Sequence, residues 1–262
     1  MTSEAHRDFY VERGYLHVPS VFSPSEVDEL ADDLDRLIEQ WSFEGAWTGP
    51  WRDAYLDPDL AATISLSVLH DLQLYSAAWA RAVAHPRLVE VLERLLGPDV
   101  EFHHTTMHVK PPERGAPFPM HQDHPFYPHA DDRYVDVLLH LDDTSHENGE
   151  IRFLPGSHRS GPLDHIVQDP DGRPCTPHLP VDRYRLEHSV AVPARSGDIV
   201  CFNINTVHGS YPNRTDRPRR LVRMGYRHPD NRQLGGQSVG RPGTIVRGLR
   251  PRREGTTPFA TE

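Results

Sequence analysis

A chain of 262 residues, 37% hydrophobic and 25% charged, can bury a sizeable core and has the composition of a soluble globular enzyme. Its formal charge of −10 argues against broad nucleic-acid binding, which needs a basic face to neutralise phosphates. No apolar run approaches the ~18 residues of a membrane helix, and the segment Met1 to Phe9 is polar without a secretion signal, so a cytoplasmic location is expected.

The first hundred residues read mainly as helix. Ser23-Pro24-Ser25-Glu26 is a capping box with proline at the first helical position, and Val27, Leu30, Ala31, Leu34, Leu37, Ile38 and Trp41 continue it as an apolar stripe. Pro86 opens a second helix through Leu88, Val89, Leu92, Leu95 and Leu96, which Gly97-Pro98 stops. Between them, residues 43–73 are mixed in character and read as a long loop.

From residue 99 the pattern changes to short extended runs, expected near 101–110, 134–142, 151–154, 188–193, 199–203 and 219–227. Turn residues at 111–119, 156–161 and 196–198 separate them. Such spacing predicts a β-sandwich or barrel. After about 229, Gly, Pro and Arg dominate, which predicts a lid-like or partly disordered tail. Cys175 and Cys201 form no metal or redox motif, and Cys201, inside the run Ile199-Val200-Cys201-Phe202, reads as a buried small hydrophobe.

His121-Gln122-Asp123 lies just after the 101–110 strand. In extended chain, residues two apart face the same way, so this histidine and carboxylate can meet one ion. His208, beyond the 199–203 strand, can supply a third ligand. Two histidines and a carboxylate leave three positions of an octahedron open, the arrangement of non-haem iron(II) oxygenases. In a chain with 18 histidines, however, H-x-D alone carries little information.

The surrounding text carries more. Met120-His121-Gln122-Asp123, then Asn148-Gly149-Glu150-Ile151-Arg152-Phe153-Leu154-Pro155-Gly156-Ser157-His158, then Gly197-Asp198, then His208-Gly209-Ser210-Tyr211-Pro212-Asn213-Arg214-Thr215 occur in order. Together with Gly14-Tyr15-Leu16-His17-Val18 after an N-terminal helix, they resemble the phytanoyl-CoA dioxygenase family over roughly residues 5–228. Ile151 and Thr215 depart from its usual leucine and serine.

The resemblance implies an α+β, mainly β fold: one domain over 1–262, with helical support in 1–98, a double-stranded β-helix (jelly-roll) core in 99–228 and a tail or lid in 229–262. It implies Fe(II), 2-oxoglutarate and O2 as cofactors, a small-molecule substrate and no nucleic-acid or membrane partner. His121, Asp123 and His208 would be the metal ligands, and Arg219 would hold the far carboxylate of 2-oxoglutarate, an anion an arginine fork suits. Arg220 is its rival, and alternation along a strand lets only one of them face the pocket. Ser210 would bind the same carboxylate, its alternative role being a turn. Lys110, the one lysine among 28 basic residues, would help hold 2-oxoglutarate or else end a surface strand. Asn213 would orient its loop.

In that reading 2-oxoglutarate is decarboxylated to succinate and CO2 while a substrate C–H is hydroxylated. Family halogenases replace the carboxylate ligand with a small residue, so Asp123 favours hydroxylation, or else desaturation, epimerisation or ring closure. For a bacterial-looking, GC-rich sequence, the resemblance to this family implies, by analogy, a small secondary metabolite as substrate. A non-catalytic binding protein of the same fold and a zinc or manganese hydrolase are the alternatives. Trp47, Trp51, Tyr55, Phe126, Tyr127, Asp131, Asp132 and Arg133 are candidate substrate contacts, and His103, His104, His124, His129 and His140 crowd the same region.

Overall fold

The computed structural model describes residues 4–41, 43–45, 49, 51–56, 59, 63 and 66–251. Helices come first: α1 (Glu4–Arg13), α2 (Pro24–Trp41), the single turn α3 (Arg52–Tyr55), α4 (Ala77–Ala82) and α5 (Pro86–Leu96). The capping box at the start of α2 forms as the sequence predicts. The Ser23 amide donates to Glu26 Oε2 at 2.8 Å, and the Glu26 amide donates back to Ser23 Oγ. Such a cap stabilises the helix by about 1 kcal/mol.

The strands among these residues are β1 (Tyr15–Val18), β2 (Phe43–Gly45), β3 (Leu66–His70), β4 (Val100–Lys110), β5 (Phe118–His121), β6 (Tyr134–His140), β7 (Ile151–Phe153), β8 (Ile166–Gln168), β9 (Pro174–His178), β10 (Val190–Val192), β11 (Ile199–Asn203), β12 (His208–Ser210), β13 (Arg219–Arg227) and β14 (Thr244–Arg247). They build a major antiparallel sheet in the order β1-β11-β6-β13-β4-β3-β2, with β14 beside β4. A minor sheet runs β10-β7-β12-β5, and β8 and β9 form a separate hairpin. The two larger sheets form the jelly-roll that the sequence predicts.

Side-chain alternation divides the major sheet into two faces. Val135, Val137, Leu139, Met107, Val109, Val222 and Met224 pack with Leu30, Leu34, Leu88 and Leu92 of α2 and α5 in one core. Leu138, Val200, Phe202 and Leu221 point the other way and meet Ile151, Phe153 and Val192 of the minor sheet. The helices therefore seal the outer face, and the functional residues are left to the space between the sheets.

Two expectations need correction. The stretch 43–73 is not one loop: β3 lies within it and pairs with β4 through Ser67, Val68, Leu69 and His70. In the sequence, Ser65 and Ser67 alternate with Leu66 and Val68, a strand pattern only a few residues long. Nor is the chain after β13 irregular as far as residue 251. The Ala130 amide donates to Arg232 O, the Leu234 amide to Pro128 O and the Gln237 amide to Phe126 O, before β14 joins the major sheet. These bonds strap the segment across the loop that follows β5. Gly236 permits the approach, because a Cβ there would overlap the Phe126 carbonyl and its φ is +80°. Among the described residues no helix is long and apolar enough to cross a membrane.

Candidate metal centre

His121 ends β5 and stands directly opposite His208, the first residue of β12, in the antiparallel ladder. Asp123 does not reach the site by strand alternation. It has left the strand, with φ −80° and ψ −20°, and directly precedes the 3₁₀ turn His124–Phe126 without a side-chain bond to it. The Asp123 and His124 amides both donate to Ile204 O at 3.2 Å, which turns the carboxylate back over the histidines. Gln122, between His121 and Asp123, is a staple. Its Nε2 donates to Gly161 O at 2.9 Å and Asn205 O at 2.7 Å, and its Oε1 accepts from the Leu163 amide.

The donor atoms of His121, Asp123 and His208 lie within 4.8 Å of one another, and all three residues are buried. His121 Nε2 is 3.7 Å and His208 Nε2 3.9 Å from Asp123 Oδ1. Ligands at about 2.1 Å from one ion stand some 3 to 4 Å apart, so little movement closes the set around a metal. The opposite ring nitrogens are committed: His121 Nδ1 donates to Pro119 O at 2.7 Å and His208 Nδ1 to Thr206 O at 3.0 Å. Each bond fixes the tautomer that presents an Nε2 lone pair to the centre. Burial lowers the pKa of both rings, which keeps them neutral. Burial alone would raise the Asp123 carboxyl, but the Arg223 guanidinium outweighs it and keeps the carboxylate ionised. Two neutral imidazoles and one carboxylate fit a divalent first-row metal.

The three residues open on a cavity of about 260 Å³ between the sheets. Arg219 lines it, as do Leu138, Ile151, Phe202, Leu221 and Ser210. Arg219 is 3% exposed, carries no side-chain hydrogen bond or ion pair among the described residues, and has its Nε buried without a partner. Burial pushes its pKa down to about 10, with Asp142 opposing, so it stays charged at neutral pH. Arg220 points to the other face of the sheet and pairs with Asp142 at 2.7 Å and Asp35 at 2.9 Å.

Lys110 is fully buried, but it does not line the cavity. Its Nζ donates to Ser210 Oγ at 2.6 Å and Tyr211 O at 2.5 Å, one layer behind Ser210. It is therefore no surface strand end. Asn213 bridges the Lys110, Pro111 and Arg217 carbonyls and accepts from Thr215, so it holds the loop.

The remaining sequence candidates divide. Phe126 lines the cavity; Trp51 is buried beside Tyr55, and Asp131 pairs with Arg133 at the surface. Trp47 lies outside the described residues. The crowded histidines His103, His104 and His129 pack behind the triad, and besides His121 and His208 the cavity is lined by His70 and His108. Gln237 of the strap closes one side. Two residues that sequence reasoning left unassigned, Arg223 and Asp136, sit beneath Asp123. Arg223 was findable: it is two alternations along β13 from Arg219 and shares its face.

The model of the phytanoyl-CoA dioxygenase family matches residues 10–221. The chain belongs to the phytanoyl-CoA dioxygenase family. The matched region holds His121, Asp123, His208 and Arg219. A probable alpha-ketoglutarate-dependent hypophosphite dioxygenase of Stutzerimonas stutzeri is 28% identical over 236 residues, covering 88% of this chain and 80% of the relative. An ectoine dioxygenase of Bordetella parapertussis is 27% identical over 237 residues, covering 85% and 74%. Among solved structures, the non-heme alpha ketoglutarate dependent epimerase SnoN from nogalamycin biosynthesis superposes with a TM-score of 0.70. It is 26% identical, over 96% of this chain and 93% of the other. This member of the phytanoyl-CoA dioxygenase family is thus an enzyme of the dioxygenase class.

Proposed function

We propose that this dioxygenase holds iron(II) through His121 Nε2, Asp123 Oδ1 and His208 Nε2, binds 2-oxoglutarate against Arg219, and hydroxylates an unactivated C–H of a small molecule. A secondary metabolite is the substrate class this reading favours. Arg219 is the observation that carries it. A buried guanidinium without a carboxylate partner, in the same cavity as a two-histidine, one-carboxylate set, calls for a ligand with an anionic end.

Iron and 2-oxoglutarate together supply the oxidising chemistry: O2 gives one oxygen atom to succinate, with loss of CO2, and the other to the substrate carbon. The chain's own residues bind, orient and shield. Arg219 offers a charge-assisted fork to the far carboxylate. Ser210 Oγ accepts from Lys110, which leaves its hydroxyl proton to donate into the cavity. Leu138, Ile151, Phe202 and Leu221 exclude water from this half. Phe118, Phe126, His70, Thr106 and His108 line the rest, where an apolar body with a few hydrogen-bonding groups fits.

The test is oxygen-dependent succinate formation by the iron-loaded protein over a panel of small molecules, followed by product analysis. A substrate that raises succinate and returns with one added oxygen supports hydroxylation. The relative SnoN is named an epimerase, so a product of unchanged composition or one lacking two hydrogens points to the second outcome, redirected oxidation at the same site. Absence of succinate with every compound, with iron bound, contradicts both.

A further inference from the structure

The carboxylate of Asp123 has two oxygens, and the fold treats them differently. Oδ1 faces the two histidine Nε2 atoms at 3.7 and 3.9 Å. Oδ2 accepts from Arg223 Nη1 at 2.7 Å. Arg223 is 6% exposed and is itself held on several sides. Nη1 also donates to Tyr127 Oη, and the Tyr127 ring lies against the guanidinium, 4.8 Å from Cζ to the ring centre. Tyr127 Oη in turn donates to Asp136 Oδ2 at 3.0 Å. Nη2 reaches His104 Nε2 at 3.2 Å and Thr106 Oγ1 at 3.5 Å. The chain continues outward, because His104 Nδ1 meets His103 Nδ1 at 2.9 Å, and His103 Nε2 donates to Gln233 Oε1 of the strap at 2.9 Å.

We infer that Arg223 is a positioning residue of the metal centre, which holds one oxygen of Asp123 so that the ion receives only the other. The inference rests on the iron reading above. A carboxylate with both oxygens available can chelate, and four protein atoms on an octahedral ion leave two positions instead of three. A bidentate cosubstrate would then leave none for oxygen. With Oδ2 fixed by a charge-assisted bond, Asp123 is limited to one coordination position, and its rotation about the Cβ–Cγ bond is stopped. Tyr127, His104 and Thr106 keep the guanidinium from swinging towards the cavity it borders. A lysine could not do this: a single ammonium does not span Asp123, Tyr127 and His104 together.

The experiment is an anaerobic iron(II) titration of metal-free protein, with a competing chelator to measure affinity. Addition of 2-oxoglutarate follows, and the visible metal-to-ligand absorption is recorded. Wild type, Arg223→Lys and Tyr127→Phe are compared, with thermal melts to establish folding. Arg223→Lys is expected to bind iron about ten- to a hundredfold more weakly and to shift or weaken the absorption band. Tyr127→Phe, which keeps the guanidinium, should move both readouts the same way by a smaller factor. It decides the matter if Arg223→Lys does not fold. Wild-type affinity and an unchanged band in the folded variants would overturn the inference. Failure of the wild type to bind iron would instead overturn the reading on which it rests.

Discussion

Arg219 and Lys110 face each other residue for residue across the β13–β4 ladder, two cations on the inner face of one sheet. Lys110 donates its hydrogen bonds to Ser210 and Tyr211, whereas Arg219 keeps its charged end without a partner among the described residues. Burial and the neighbouring Arg219 charge lower the Lys110 pKa. An anionic ligand in the cavity would therefore meet Arg219 directly, with Lys110 one layer behind Ser210.

The first prediction follows from that pair. Arg219→Ala should weaken 2-oxoglutarate binding by about 1.5–3 kcal/mol, the range for a hydrogen bond to a charged group, or roughly ten- to a hundredfold in Kd. Arg220→Ala, on the opposite face with Asp142 and Asp35, should leave that Kd unchanged. Titration of 2-oxoglutarate into the iron-loaded variants checks both. Equal effects of the two substitutions would contradict the assignment.

A second prediction concerns the metal-free protein. Asp123→Ala leaves the buried Arg223 guanidinium without its nearest carboxylate oxygen and should cost about 3–5 kcal/mol. Asp123→Ala combined with Arg223→Leu should cost less than the sum of the two single changes, since both remove one interaction. Urea unfolding without metal measures the coupling. Strict additivity would show that the pair does not interact.

Acid should weaken the fold well above the range of ordinary carboxylate titration. Burial lowers the pKa of His103 and His140 to about 3 and that of His129 to about 4. Each folded value lies below that of an unfolded histidine, so below about pH 6.5 the unfolded chain takes up protons that the folded chain refuses. Stability is therefore complete above about 6.5 and falls progressively as the pH drops towards 3 to 4. Melting temperature recorded between pH 7.5 and 5 should decline, and His140→Phe should flatten the slope. A level profile would contradict the neutral, buried state of these rings.

Gly149 borders the same cavity at φ +80°, where a Cβ would overlap the Tyr211 carbonyl oxygen and stand 2.9 Å from Lys110 Nζ. Gly149→Ala should cost about 1–3 kcal/mol in backbone strain. It should also loosen 2-oxoglutarate, because the displaced carbonyl is one of the Lys110 acceptors. A melt and a 2-oxoglutarate titration on the same sample check this; an unchanged Kd would remove Lys110 from the account.

Much of this was legible in the sequence, for reasons that differ between elements. The helices α2 and α5 announce themselves by an apolar stripe, and β4, β6, β11 and β13, covered on both faces, as extended runs bounded by turn residues. The strands β3, β5, β12 and β14 do not, since their pairing is decided by distant partners. Which of Arg219 and Arg220 faces inward is what the family resemblance adds; that the two face opposite ways follows from strand alternation. The position of Asp123 does not: it depends on a turn bonded to Ile204. The facing of Arg223 follows from the same alternation, but its bond to Asp123 and the place of Asp136 exist only where β13 and β6 lie side by side beneath the β5 turn, a relationship between segments rather than a motif.

The central claim is that one cavity binds iron through three side chains and 2-oxoglutarate through a fourth. Anaerobic titration of the metal-free protein with iron(II), then with 2-oxoglutarate, tests it most directly. The expected result is one iron and one 2-oxoglutarate per chain, iron lost in His121→Ala and 2-oxoglutarate weakened in Arg219→Ala. Iron binding that survives His121→Ala, or an iron-loaded protein that does not take up 2-oxoglutarate, would contradict it.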